Sequence, residues 1–157
     1  MIAPKITVRI QTAPFDAAAE AEAIVAGRAD VGAVVTFTGF VRLDDGLIAL
    51  TLECYAEMAE AEIARLVEDA QARWPLQGVT VIHRFGRLTP GEAIVVVITA
   101  AAHRRAAFAA AEFLMDHLKA RAPFWKQEER ATGSRWVEAR TADDAALARW
   151  EAGHGSG

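Results

Sequence analysis

Between Ala93 and Ala101 the chain reads AIVVVITAA, without a charge and β-branched through its centre. No apolar/polar alternation gives this run a wet side, so it reads as a strand buried on both faces. The chain must therefore supply covering elements for two sides of a sheet, which requires a folded core. Its 157 residues suffice for one domain and are too few for two ordinary ones. The hydrophobic fraction of 53% excludes disorder.

Periodicity assigns the remaining elements. Ile6, Val8 and Ile10 alternate with polar residues as a strand does. Asp16 is placed to N-cap an alanine-rich helix that stops at Gly27. VGAVVTFTGFVR (31–42) and Leu47 to Tyr55 are strand-like and flank Asp44-Asp45-Gly46, which predicts a hairpin. Ala59, Ile63, Leu66, Val67, Ala70 and Trp74 share one face of a helix over 57–74, ended by Pro75. GVTVIHRFGRL (78–88) reads as one strand, followed by the Thr89-Pro90-Gly91-Glu92 turn. Phe108, Ala111, Met115 and Leu118 are in register on a second amphipathic helix over 104–120, closed by Pro123. Short strands over 124–130 and 135–141 flank Thr132-Gly133-Ser134, and a last helix is expected over 143–150. This is an α+β chain organised as one domain over 1–152, with a flexible tail over 153–157.

Several function classes can be set aside. No apolar run approaches a membrane span, and MIAPKITVRIQT lacks the basic start, apolar stretch and small-residue cleavage site of a signal peptide. One cysteine makes no internal disulfide, and no Cys/His cluster has zinc spacing, so neither a metal nor another cofactor is expected. A cytoplasmic protein follows. The net charge of −4 argues against a nucleic-acid surface. Yet His103, Arg104, Arg105, Lys119, Arg121 and Lys126 gather in one segment of this acidic chain, which points to a small anionic ligand.

His103-Arg104 stands where the buried strand meets the second helix, and free N–H groups at a helix start favour an anion such as phosphate. A solvated helix start would show the same pair. Lys119 lies near the end of that helix, where a cation is favourable for dipole reasons alone. Lys126 follows the Pro123 corner, beside Phe124 and Trp125. If the strand turns back beside the helix, two lysines share a pocket with apolar walls, which lowers a lysine pKa and activates it. Arg42 ends a strand containing Gly39, a position suited to close approach of a ligand. His83, Arg84 and Arg87 read as surface or interface residues. Cys54 alternates with Leu50 and Leu52, is expected to face the core, and is read as structural. Trp74, Trp136 and Trp150 read as core or interface.

Taken together, VTFTGFVR (35–42), LTLECYAEM (50–58), VIHRFGRLTPGE (81–92), AHRRAAF (102–108), MDHLKARAPFWKQE (115–128) and RWVEAR (135–140) resemble the large, catalytic subunit of molybdopterin synthase, the MoaE family. The match runs in order over roughly Gly32 to Trp150. It implies an α/β-hammerhead with an additional antiparallel β-subdomain, and a homodimer within a heterotetramer. It implies as partner a small ubiquitin-like sulfur-carrier subunit with a C-terminal Gly-Gly thiocarboxylate. The implied reaction places two sulfurs on cyclic pyranopterin monophosphate (precursor Z) to form the molybdopterin dithiolene. On this resemblance Lys119 and Lys126 are catalytic. Phe40, Val41, Arg42, His103, Arg104, Gln127 and Glu128 surround the substrate with them, and Arg140 reaches across the subunit boundary. Phe40 stands where many members have lysine, Cys54 where they have an acid or histidine, and the 43–46 loop is short. Two readings compete: a non-catalytic phosphate-ligand-binding regulatory domain, and a scaffold whose aromatics form an interface.

Overall fold

The computed structural model describes residues 2–121, 123–137 and 141–153. Along the chain these form β1 (Lys5–Gln11), α1 (Ala17–Val25), β2 (Ala33–Phe40), β3 (Leu47–Glu53), α2 (Ala56–Arg73) and β4 (Leu76–Arg84). There follow β5 (Gly86–Leu88), β6 (Ala93–Ala101), α3 (Arg104–Arg121), β7 (Trp125–Arg130), β8 (Gly133–Val137) and α4 (Thr141–Gly153). The fold is α+β, as expected.

The first sheet has the order β1-β4-β6-β2, and β6 lies inside it between antiparallel β4 and β2. Its continuous apolar run now has an explanation. Val96, Ile98 and Ala100 pack with Ile24 of α1 on one face. Val95, Val97 and Ala101 pack on the other with Ile63, Val67, Phe113 and Leu114 of α2 and α3. Burying a Val or Ile side chain contributes about 1.5–3 kcal/mol, so this strand is a main source of cohesion. Asp16 caps α1 as expected, its Oδ1 accepting from the Ala19 N–H at 3.0 Å. Gly32 passes so close to the strand end that a Cβ there would lie 2.0 Å from the Ala102 carbonyl oxygen.

The second sheet, β5-β3-β7-β8, corrects two expectations. The 31–42 and 47–55 segments do not form a hairpin. β2 pairs with β6, whereas β3 pairs with β5 and β7. The turn at Asp44 to Leu47 exists, with the Leu47 N–H on the Asp44 carbonyl at 2.6 Å, but it carries the chain from one sheet to the other. A short turn permits local pairing; the long apolar β6 offers β2 the better partner. Likewise, 78–88 is not one strand. β4 ends at Arg84, Gly86 adopts φ +96, and Gly86–Leu88 pairs with β3 in the other sheet. Glycine tolerates that positive φ without a Cβ penalty, which allows the switch.

Candidate functional site

Where the two sheets meet, Val41, Leu52 and Leu88 form a small buried cluster with Phe85, Ile94 and Phe124 packed against it. Arg42 follows Val41 and is exposed. Lys126 lies opposite Leu52 in the β3/β7 register and two residues beyond Phe124. The corner at Pro123 thus turns β7 back onto the sheet seam, as the sequence predicts. Lys126 is half-buried and Lys119, near the end of α3, is exposed.

His83 is the residue the sequence reading misplaces. It was expected at the surface, but it stands half-buried at this seam, its ring stacked on Phe124 with centroids 4.0 Å apart and planes at 17°. Its Nδ1 is 2.8 Å from the Arg84 carbonyl oxygen, which can only accept, so Nδ1 carries the proton in the neutral ring. Burial pushes its pKa down to about 4; the Lys126 and Lys119 charges press in the same direction, against the Arg84 hydrogen bond. Its place after the β-branched run Val79-Thr80-Val81-Ile82 is the only sequence signal for it.

Arg84 is also corrected: it is buried, not superficial. Its guanidinium donates to the Thr12 carbonyl at 3.0 and 3.1 Å and to the Ala93 carbonyl at 2.9 Å, with Glu92 at 3.6 Å. These bonds tie the ends of β4 and β6 together and hold the His83 backbone still.

The other basic pair lies elsewhere in the chain. His103 and Arg104 are exposed at the start of α3, beside an open groove lined also by Arg105, Phe108, Ala109 and Glu112. Arg104 and Lys119 are fifteen residues apart on one helix, which at 1.5 Å per residue separates them by about 22 Å. One protomer does not bring them together.

Of the remaining expected residues, Phe40 is exposed at the end of β2. Val41 puts its side chain into the core, and its backbone is bonded to Glu92 at 2.8 Å and Gly91 at 2.7 Å. It fixes where Phe40 and Arg42 emerge. Alternation along β7 sets Glu128 on the same side as Lys126 and Gln127 on the other. The Glu128 carboxylate is gripped by Arg130 at 2.6 and 3.0 Å. Cys54 does not face the core as expected; it is half-buried in a cleft with Glu53, Tyr55, Trp125 and Trp136, and burial raises its thiol pKa. The strand has ended at Glu53, so alternation no longer governs the next residue. Trp74 and Trp150 pack against Phe113, as a core reading requires, whereas Trp136 is exposed. Arg140, and the tail beyond Gly153, lie outside the described residues. Among the described residues no group of acids, histidines and cysteine could hold a metal, and no helix is long and apolar enough to cross a membrane.

Comparison with known proteins agrees with this arrangement. A molybdopterin synthase catalytic subunit of Mesorhizobium japonicum is 60% identical over 148 residues, 92% of this chain and 93% of the relative. The crystal structure of molybdopterin synthase from Staphylococcus aureus matches with TM-score 0.75 and 30% identity, over 83% of this chain and 96% of that one. A molybdopterin biosynthesis MoaE protein from Burkholderia ambifaria matches with TM-score 0.81 and 48% identity, over 93% and 98%. The sequence profile of the MoaE protein family spans residues 10–121, from β1 through the whole of α3. The profile covers well over half of the chain, and the chain belongs to the MoaE family.

Proposed function

We propose that this chain is the catalytic subunit of a molybdopterin synthase. It transfers sulfur from the C-terminal thiocarboxylate of a small ubiquitin-like carrier to cyclic pyranopterin monophosphate, forming the molybdopterin dithiolene. The reading is carried by the family match together with the Pro123 corner, beyond which β7 sets Lys126 opposite Leu52 while Lys119 stands near the end of α3. A thiocarboxylate and a cyclic phosphate are both anions and repel one another. Fixed cations bring them together and stabilise the charge that develops as the phosphate ring opens and sulfur adds. Lys119 and Lys126 serve as the catalytic pair and Arg42 as a substrate contact. The sulfur arrives on the partner, so the protonated Cys54 needs no role in the chemistry.

The separation of the two ends of α3 supports a shared pocket. In a homodimer, His103 and Arg104 of one protomer can complete the site formed by the other protomer's lysines, with Arg140 as a further cross-subunit contact. Phe40, Gln127 and Glu128 flank the substrate. The working assembly is this dimer with a carrier at each end, a heterotetramer in the cytoplasm.

The test is direct turnover. The purified protein, a thiocarboxylated carrier and cyclic pyranopterin monophosphate are combined, and molybdopterin is assayed by the fluorescence of its oxidised derivative. The wild type should give product. Lys119→Ala should give none, while its thermal unfolding and carrier binding stay near wild type. Binding of both ligands without product in the wild type would leave a phosphate-ligand sensor.

A further inference from the structure

We propose that His83 is a positioning residue of the sulfur-transfer centre, its ring holding the Pro123 corner so that Lys126 stands in fixed relation to Lys119. The inference rests on the sulfur-transfer reading of the lysine pair and adds to it a residue outside the pair. Four observations converge. First, the ring lies flat on Phe124 at 4.0 Å, and Phe124 is two residues before Lys126. Second, Nδ1 is tied to the Arg84 carbonyl at 2.8 Å, which fixes the ring's plane. Third, the strand beneath is rigid: His83 sits between Ile10 of β1 and Val95 of β6 in the ladder, and the next residue is the buried, multiply bonded Arg84. Fourth, both lysine charges reach it.

The physical need is clear from the elements. Lys119 ends a helix and Lys126 begins a strand of another sheet, with a proline corner between them. Catalysis by placed charges demands that two such groups be held to a fraction of an ångström. The stacked rings of His83 and Phe124, anchored on an inner strand of the first sheet, supply such a hold. Histidine suits the position better than a permanent cation would. Neutral, it adds no third charge to compete for the anionic substrates, and its Nδ1–H donates to the Arg84 carbonyl, a bond phenylalanine cannot make.

The experiment uses the full chain with carrier and substrate. His83→Ala should lower kcat by about 10- to 100-fold, the loss expected for misplacement of about 1 Å, with KM for the pterin and carrier affinity changed less than about threefold. His83→Phe, which keeps a flat ring against Phe124, should recover most of that loss. Wild-type kcat in His83→Ala would overturn the proposal, as would a phenylalanine variant no better than alanine. A second readout needs no turnover. Lys5, Lys119 and Lys126 are the only lysines of the chain, so 13C-dimethylation yields a simple NMR spectrum. His83→Ala should shift the Lys119 and Lys126 signals and leave Lys5, on β1, as the internal reference; unmoved signals would overturn the proposal. If the alanine variant does not fold, His83→Asn, with a donor for the Arg84 carbonyl but no ring, carries the same expectations. Product from the wild type but none from Lys119→Ala, together with an unimpaired His83→Ala, would sink the His83 role alone. No product from any of them would sink the sulfur-transfer reading, leaving the NMR arm to decide the placement.

Discussion

At the scale of single residues, His83 couples stability to pH as well as geometry to chemistry. Folded, its pKa is about 4; unfolded, histidine titrates near 6.5. Between those values the unfolded chain binds the extra proton, so stability rises with pH across the window and is lost as pH falls from about 6.5 towards 4. Above 6.5 both states are neutral and the contribution is constant. The shift from 6.5 to about 4 bounds the effect at about 3 kcal/mol, less the solvent screening of a half-buried ring. Urea unfolding at pH 7 and pH 5 should therefore show wild type losing more stability between the two than His83→Phe. Equal losses would mean that the ring is readily hydrated. Arg84, next in the chain, is pinned by three hydrogen bonds to carbonyls of two other segments, which explains why a residue that looks superficial in sequence is interior.

Among the elements, α3 packs along both β6 and β2. Its buried face includes Ala107, Ala110 and Ala111 beside Phe113, Leu114 and Leu118. The small residues let the helix lie close on the sheet, and the Thr99 hydroxyl donates to the Ala107 carbonyl at 2.6 Å. Ala110 is fully buried, so Ala110→Leu should force the helix outward and cost about 1–3 kcal/mol. Thermal unfolding would register that as a drop of several degrees. Because Arg104 and Lys119 both ride on this helix, the same variant should lose activity beyond what its folded fraction accounts for. Retained specific activity with lowered stability would instead show that the helix ends tolerate displacement. The last helix, α4, is tied to α3 by Arg149, which donates to Glu112 at 2.7 Å and to Asp116 at 3.1 Å, and by the Trp150 indole on Asp116.

For the molecule as a whole, the proposed sharing of pockets makes a prediction that no single-chain site would satisfy. Lys119→Ala and Arg104→Ala should each be nearly inactive alone. Unfolded together and refolded as mixed dimers, they should regain roughly a quarter of wild-type activity, because half of the dimers are mixed and each restores one of its two pockets. No recovery, with mixed dimers shown to form, would place both clusters in the service of one chain's pocket.

How much of this was legible beforehand differs by the kind of interaction involved. Helices α2 and α3 and strand β6 were readable to within a residue or so, because burial of one stripe, or of two faces, is written into the spacing of apolar side chains. The lysines, the His103-Arg104 pair and Arg42 are singled out in the sequence by local signals and family resemblance. The hairpin at 43–46 and the single strand over 78–88 were misread, since strand pairing is a choice among distant partners and a turn between strands does not say which sheet each enters. His83 was misread for the same reason: its environment is made by Phe124, Lys119 and Lys126 from other elements, and none is near it in sequence. Thus the sequence by itself determined the element types, the need for layers on both faces of β6, and the residues capable of holding anions. Tertiary structure alone decided that β2 and β3 part into separate sheets, that His83 stacks on Phe124, and that Arg104 and Lys119 stand a helix length apart. Periodicity is a property of neighbours along the chain, whereas pairing, burial of a polar group and electrostatic coupling are properties of neighbours in space.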